Sequence, residues 1–202
     1  MRRVRPITAS PAGIICLHGL YEDRFHSVSA RGYDDYLRGC AERIVRAQIR
    51  TIVLCGGHIH PNSLHSEARI AYLQFYEHLG KLAGRSLDDY RILLDEESHN
   101  GPQDIAHGLY RIQLHEPWRR EVHVFVDKVR WFPSWVLTRN ICWGFRTQVH
   151  GVPRLSTHPS SSTLWRQLLR GLYYLVCPKV VEDELDADNT QREEMIVHDT
   201  RR

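Results

Sequence analysis

The sequence predicts an α/β fold: an open, mainly parallel sheet of about five strands with helices on both faces. Two observations carry the prediction. Five short apolar runs of strand length alternate with longer segments whose apolar residues recur every three or four positions. Polar, chemistry-bearing residues gather directly after those runs, where an open parallel sheet forms its binding crevice.

Gly13 to Leu17 reads as the first strand, and Tyr33, Leu37, Cys40, Ala41 and Ile44 mark one face of the first helix. Thr51 to Cys55 is the second strand, followed by a helix over Leu64 to Leu79 that carries Ile70, Leu73 and the aromatic residues Tyr72, Phe75 and Tyr76. Arg91 to Leu94 is the third, before a helix bearing Ile105, Leu109 and Ile112. Val122 to Val126 is the fourth, and Pro133, suited to a first turn, introduces a helix over Ser134 to Trp143. Arg146 to His150 is the fifth, and the Ser/Thr cluster at 160–163 caps a helix with Leu164, Leu168, Leu172 and Leu175 on one stripe. The chain therefore divides into a lead (1–12), one α/β domain (13–178) and a charged tail (179–202) that is acidic from Glu182 to Asp188.

Composition narrows the function classes. With 27 Lys and Arg against 24 Asp and Glu, the formal charge of +3 is mild and unclustered, which argues against nucleic acid as partner. No apolar run approaches the roughly 18 residues a membrane span needs. His18 interrupts the apolar run behind the basic start, so no secretory leader is read. The expectation is a cytoplasmic protein with reduced, mostly buried thiols, because its five cysteines are odd in number and form no C-x-x-C pair. The sequence leaves the oligomeric state open.

The strand ends supply the candidate site. His18 and Gly19 follow the first strand; Gly56, Gly57 and His58 follow the second. The Gly pair stands between a strand and a helix, where bare backbone and unpaired helix N–H groups suit a phosphate, although a turn needing positive φ explains it equally. Ser66 and Glu67 open the next helix; with Ser63 four residues before Glu67, no capping box is assured, and Glu67 is also a carboxylate favoured by the helix dipole. Asp95, Ser98, Asn100 and Asp104 follow the third strand as ligand-binding or capping residues. Lys128 and Arg130 follow the fourth, where cations suit a phosphate, a carboxylate or a nucleotide. His58 and His60, with His65 nearby, match no recognised zinc spacing, so no metal is expected.

Thr51 to Gly57, then Ser66-Glu67-Ala68, then Ile92 to Asn100, taken in that order, resemble the DUF218 family of YdcF/SanA/ElyC-like proteins over about residues 13 to 153. The resemblance implies a Rossmann-like three-layer sandwich. It also implies possible links to envelope precursor metabolism or S-adenosylmethionine binding. The chain departs from the family where Gly101 and Gln103-Asp104 replace a Thr and a Glu-Asn, and where Asp127 and Arg130 stand nearest to an expected Ser and His.

Two functions follow as expectations. The first is an enzyme that transfers or hydrolyses a group on a phosphorylated or nucleotide-type small molecule, with Glu67 as base and Arg130 and Lys128 neutralising anionic charge. The second is a nucleotide or S-adenosylmethionine binding module without turnover, in which Glu67 or Asp95 accepts ribose hydroxyls. A scaffold presenting Trp118, Trp131, Trp135, Trp143 and Trp165 is a third class.

Overall fold

The computed structural model describes residues 10–17, 28–58, 64–84, 86–153 and 161–177, together with 179 and 181. Its strands are β1 (Ala12–Cys16), β2 (Thr51–Cys55), β3 (Arg91–Asp95), β4 (Glu121–Asp127) and β5 (Arg146–Val152). Its helices are α1 (Val28–Arg46), α2 (Glu67–Ala83), α3 (Gly101–His115), α4 (Trp131–Ile141) and α5 (Ser161–Val176). The strands pair in the order β3-β2-β1-β4-β5, and every pair is parallel. The fold is Rossmann-like.

Side-chain alternation along the strands makes the three layers. Ile15, Ile52, Leu54 and Phe125 point to one face, where Leu37, Ile44, Phe75 and Leu79 of α1 and α2 cover them. Ile14, Cys16, Val53, Cys55 and Val124 point to the other, under Ile105, Leu109 and Ile112 of α3 and Val136 and Leu137 of α4. Because both faces are covered, the central strands read as continuous apolar runs rather than alternating ones. Gly108 lets α3 lie close on this layer: a Cβ there would stand 2.7 Å from Ile14 and 2.9 Å from Cys55 Sγ. Cys16, Cys40, Cys55 and Cys142 are buried and unpaired, and burial pushes all four thiols up. No described helix is long and apolar enough to cross a membrane.

The opposite, amino edge of the sheet is held by a buried polar cluster. Thr51 Oγ1 donates to Glu116 Oε1 at 2.8 Å, Arg119 pairs with the other carboxylate oxygen, and Arg119 also reaches Ser10 Oγ at 3.2 Å. Burial acts to raise the Glu116 carboxyl, yet the hydrogen bonds from Arg119 and Thr51 hold it below the ordinary value. Its stabilisation is therefore fully present above the ordinary glutamate value of 4.5 and fades as acid carries the site through its lowered value. Glu116→Ala is expected to cost about 1–3 kcal/mol at neutral pH, because it strands a buried hydroxyl and a guanidinium. Urea midpoints at pH 7 check this; a midpoint equal to wild type would show that water replaces the carboxylate at no cost.

The strand order reverses between β1 and β4, the place where open α/β sheets split to admit ligands. The Tyr36 hydroxyl from α1 lies 2.9 Å from the carbonyl oxygens of both Cys16 and Phe125 at this split. Tyr36 thus satisfies the strand ends from the α1 side, and the polar rim is built on the other side and over β2 and β3.

Candidate active site at the carboxyl edge

The glycine pair has a different role from the one its sequence suggests. Gly56 N–H donates to the Asp95 carbonyl at 3.0 Å and Gly57 N–H to the Ser98 carbonyl at 2.6 Å, so both donors are engaged within the chain. Their carbonyls receive the first N–H groups of α2: Glu67 N donates to Gly57 O at 3.1 Å and Ala68 N to Gly56 O at 2.9 Å. Neither glycine has positive φ. Space explains them: a Cβ on Gly56 would stand 2.9 Å from Glu67 Cβ, and one on Gly57 would stand 2.6 Å from Ser98 O and 3.0 Å from Glu96 O. The reading of this turn as a phosphate cradle is corrected accordingly, since the N–H groups that would bind the anion hold β3 and α2 in place.

Ser66 is the N-cap of α2. Its Oγ accepts from Arg69 N at 3.1 Å and donates to Glu96 Oε1 at 2.6 Å, while the Arg69 guanidinium grips both Glu96 oxygens at 2.9 Å. The Arg69 hydrogen bond draws the Glu96 carboxyl down to about 2. With Ile70 N on Ser66 O, the first four donors of α2 are all satisfied. Ser66 is thus the cap of α2. Asn100 likewise caps α3, accepting from Gln103 N at 2.9 Å.

These caps bring three carboxylates together. Glu67 in the first turn of α2 is 2% exposed, Asp95 at the end of β3 1%, and Asp104 in the first turn of α3 2%. Ser98 donates to Asp95 Oδ2, and His107 Nδ1 stands 3.6 Å from that same oxygen. Arg111 stands 3.8 Å from Asp95 Oδ1. Burial raises the Asp104 carboxyl well above its ordinary value, the negative charges of Glu67 and Asp95 raise it further, and Arg130 and a hydrogen bond with Ser98 oppose this. Glu67, Asp95, Ser98, Asp104 and Arg130 therefore belong to one electrostatic unit.

The other predicted residues separate from it. Lys128 is exposed on the single 3-10 turn Lys128–Arg130; its carbonyl accepts from Trp131 N–H, and its side chain makes no hydrogen bond or ion pair among the described residues. His58 is exposed beside Gly57. His18 and Gly19 lie outside the described residues. No group of three or more His, Cys, Asp or Glu among the described residues is arranged to hold a metal ion.

The sequence reading missed four residues. His107 and Arg111 share the Asp104 face of α3 at helical spacing, a signal that was present. Arg170 and Ser134 were not signalled: they line a small cleft with Arg130, Gly101 and Tyr174, formed where α5 returns against α4 and the start of α3.

The raised Asp104 carboxyl gives a stability prediction. The native state keeps a proton that the unfolded chain releases above the ordinary aspartate value of 3.8, so this contribution is complete below that pH and is lost as pH rises toward the folded value. Asp104→Asn should remove the loss. Between about pH 4 and neutrality the variant should gain on wild type, with a slope of at most about 1.4 kcal/mol per pH unit for one proton. Parallel urea midpoints across this range would show that Asp104 titrates alike in both states.

Fold and site together define a Rossmann-like α/β protein with a buried acidic cluster at the carboxyl edge of its sheet, with the Arg111 guanidinium beside Asp95 and the Arg130 charge acting on Asp104. No family model, no curated protein and no solved structure matches the chain.

Proposed function

We propose that the protein is an enzyme acting on a phosphorylated or nucleotide-type small molecule, by transfer or hydrolysis at the carboxyl edge of the sheet. The observation that carries this reading is the buried meeting of Glu67, Asp95 and Asp104 opposite Arg130. Carboxylates whose surroundings push their proton affinities apart are how one site holds both an acid and a base. In this reading Glu67 takes the proton of the attacking hydroxyl or water, and Asp104 gives its proton to the departing oxygen as the bond to phosphorus or carbon breaks. Arg130, with Arg170 across the cleft, neutralises the anionic group; this moves the anion subsite from the Gly pair to the β4 side. The resemblance to DUF218 proteins supports a small-molecule site in the same place.

One observation favours a second reading, a nucleotide or S-adenosylmethionine binding module without turnover. Arg130 stands nearest to the histidine of the resembling family, and a guanidinium cannot exchange a proton at neutral pH. A thermal-shift screen of nucleotides, nucleotide sugars, isoprenoid phosphates and S-adenosylmethionine tests both. A native-state ligand at a hundredfold its Kd adds about 2.7 kcal/mol of apparent stability. Product from the stabilising ligand supports the enzyme; recovery of that ligand unchanged supports the module; no shift with any member counts against both.

A further inference from the structure

The small cleft between α4, α5 and the start of α3 is walled by hydrogen-bond donors and by no acid. Arg130 lines it from the turn after β4, Ser134 from α4, and Gln167 and Arg170 from α5, and no Asp or Glu lines it. Close approach of α5 assembles the set: a Cβ on Gly171 would collide with the ring of Phe132, so glycine lets α5 settle on α4 at this point. Ser134 is 8% exposed, and its hydroxyl makes no hydrogen bond among the described residues. A hydroxyl so far removed from bulk water and left without a partner costs free energy that a bound oxygen would recover. Arg170 is already aligned. Its Nε donates to the Tyr174 hydroxyl at 2.5 Å, its guanidinium lies 5.5 Å from the centre of that ring, and Tyr174 itself is 1% exposed. A guanidinium tied to the core in this way loses little freedom when it takes an anion.

We propose, resting on the phosphorylated-ligand reading above, that the cleft seats the terminal phosphate of a phosphate monoester, held by Arg130, Arg170 and the Ser134 hydroxyl, with Tyr174 as the positioning residue for Arg170. Size selects the group: the cleft holds about 30 Å³, room for two or three waters and too little for a nucleobase. Donor number selects its chemistry. A carboxylate presents two oxygens in one plane and is satisfied by one guanidinium fork, whereas donors entering from the turn, from α4 and from α5 suit the three outer oxygens of a monoester. A diester offers only two such oxygens and a single charge. No carboxylate in the wall repels a dianion.

Calorimetric titration of the full chain with methyl phosphate, dimethyl phosphate and acetate is the test. Methyl phosphate is expected to bind in the millimolar range and at least about tenfold tighter than the other two. Ser134→Ala should weaken it about fivefold and Arg170→Gln about tenfold or more, each with a urea midpoint close to wild type; Ser134→Ala decides should the loss of Arg170 unsettle α5. Arg166→Gln, an equal loss of charge on α5 outside the cleft, should leave the affinity within about twofold. Tyr174→Phe should weaken binding about threefold and have no further effect in the Arg170→Gln background, a coupling that a merely structural tyrosine would not show. Methyl phosphate that binds no tighter than dimethyl phosphate, or whose affinity neither Ser134→Ala nor Arg170→Gln changes, would overturn the proposal. The subsite and the enzyme fail separately. Methyl phosphate held by these residues, without turnover of any phosphorylated compound, keeps the subsite and removes the enzyme; turnover that Arg170→Gln leaves unchanged keeps the enzyme and removes the subsite.

Discussion

Glu67→Gln is expected to lower turnover of the ligand found in the screen by about 10² to 10⁴, the usual contribution of a positioned carboxylate to proton transfer. If the protein binds without turnover, the same change should weaken affinity. Stability should move the other way or not at all. Glu67 is buried beside Asp104, whose carboxyl its charge already pushes up, so a neutral amide of equal size relieves repulsion. The favourable dipole interaction lost from the first turn is worth only about 0.3–1 kcal/mol. Function and stability are thereby separated: kcat/KM or Kd should fall while the urea midpoint holds or rises. Unchanged kinetics and binding, with any loss confined to the midpoint, would make Glu67 a structural residue.

Asp104 completes the comparison, since its removal acts on the same cluster from the acid side. In the proposed chemistry Glu67→Gln removes the base and Asp104→Asn removes the acid. The two changes should not add, because residues that act as a unit fail together.

What the sequence revealed and what it hid differ in range. The apolar runs located all five strands within a residue or two, because strand burial is written in consecutive side chains. Helix starts were harder. α2 begins at Glu67, not near Leu64, since Ser66 is the cap, and α4 begins at Trp131, ahead of Pro133. The Gly pair was visible but its purpose was not, because the atoms that crowd Gly57 belong to Glu96 and Ser98, about forty residues away in sequence and adjacent only across the β2–β3 pair. The same limit applies to cations. Lys128 and Arg130 look equivalent in sequence, yet one residue of separation on a 3-10 turn leaves Lys128 in solvent and puts Arg130 within electrostatic reach of Asp104. On α5 the leucine stripe correctly located a helix, but periodicity states only that a face is apolar, not that the protein covers it.

Gly57→Ala is expected to destabilise the protein by about 1–3 kcal/mol, the usual cost of forcing extra volume into packed structure. The new methyl would stand 2.6 Å from the Ser98 carbonyl oxygen and 3.0 Å from that of Glu96. Both are backbone atoms, so relief requires the β3 loop to move rather than a side chain to rotate. That loop is tied to Gly57 N by the Ser98 carbonyl, to Ser66 by Glu96, and to Asp95 by the Ser98 side chain. Its displacement should therefore weaken ligand binding as well as folding. Gly101→Ala is the control, because a Cβ there meets nothing within 4 Å and its φ is not positive. That change should cost clearly less than Gly57→Ala, because the gain through the unfolded chain offsets the restriction that Pro102 places on the residue before it. Urea midpoints of the two variants, measured together, decide the matter: equal midpoints would mean that the β3 loop yields freely and that the close approach of Gly57 does not hold the acidic cluster in register.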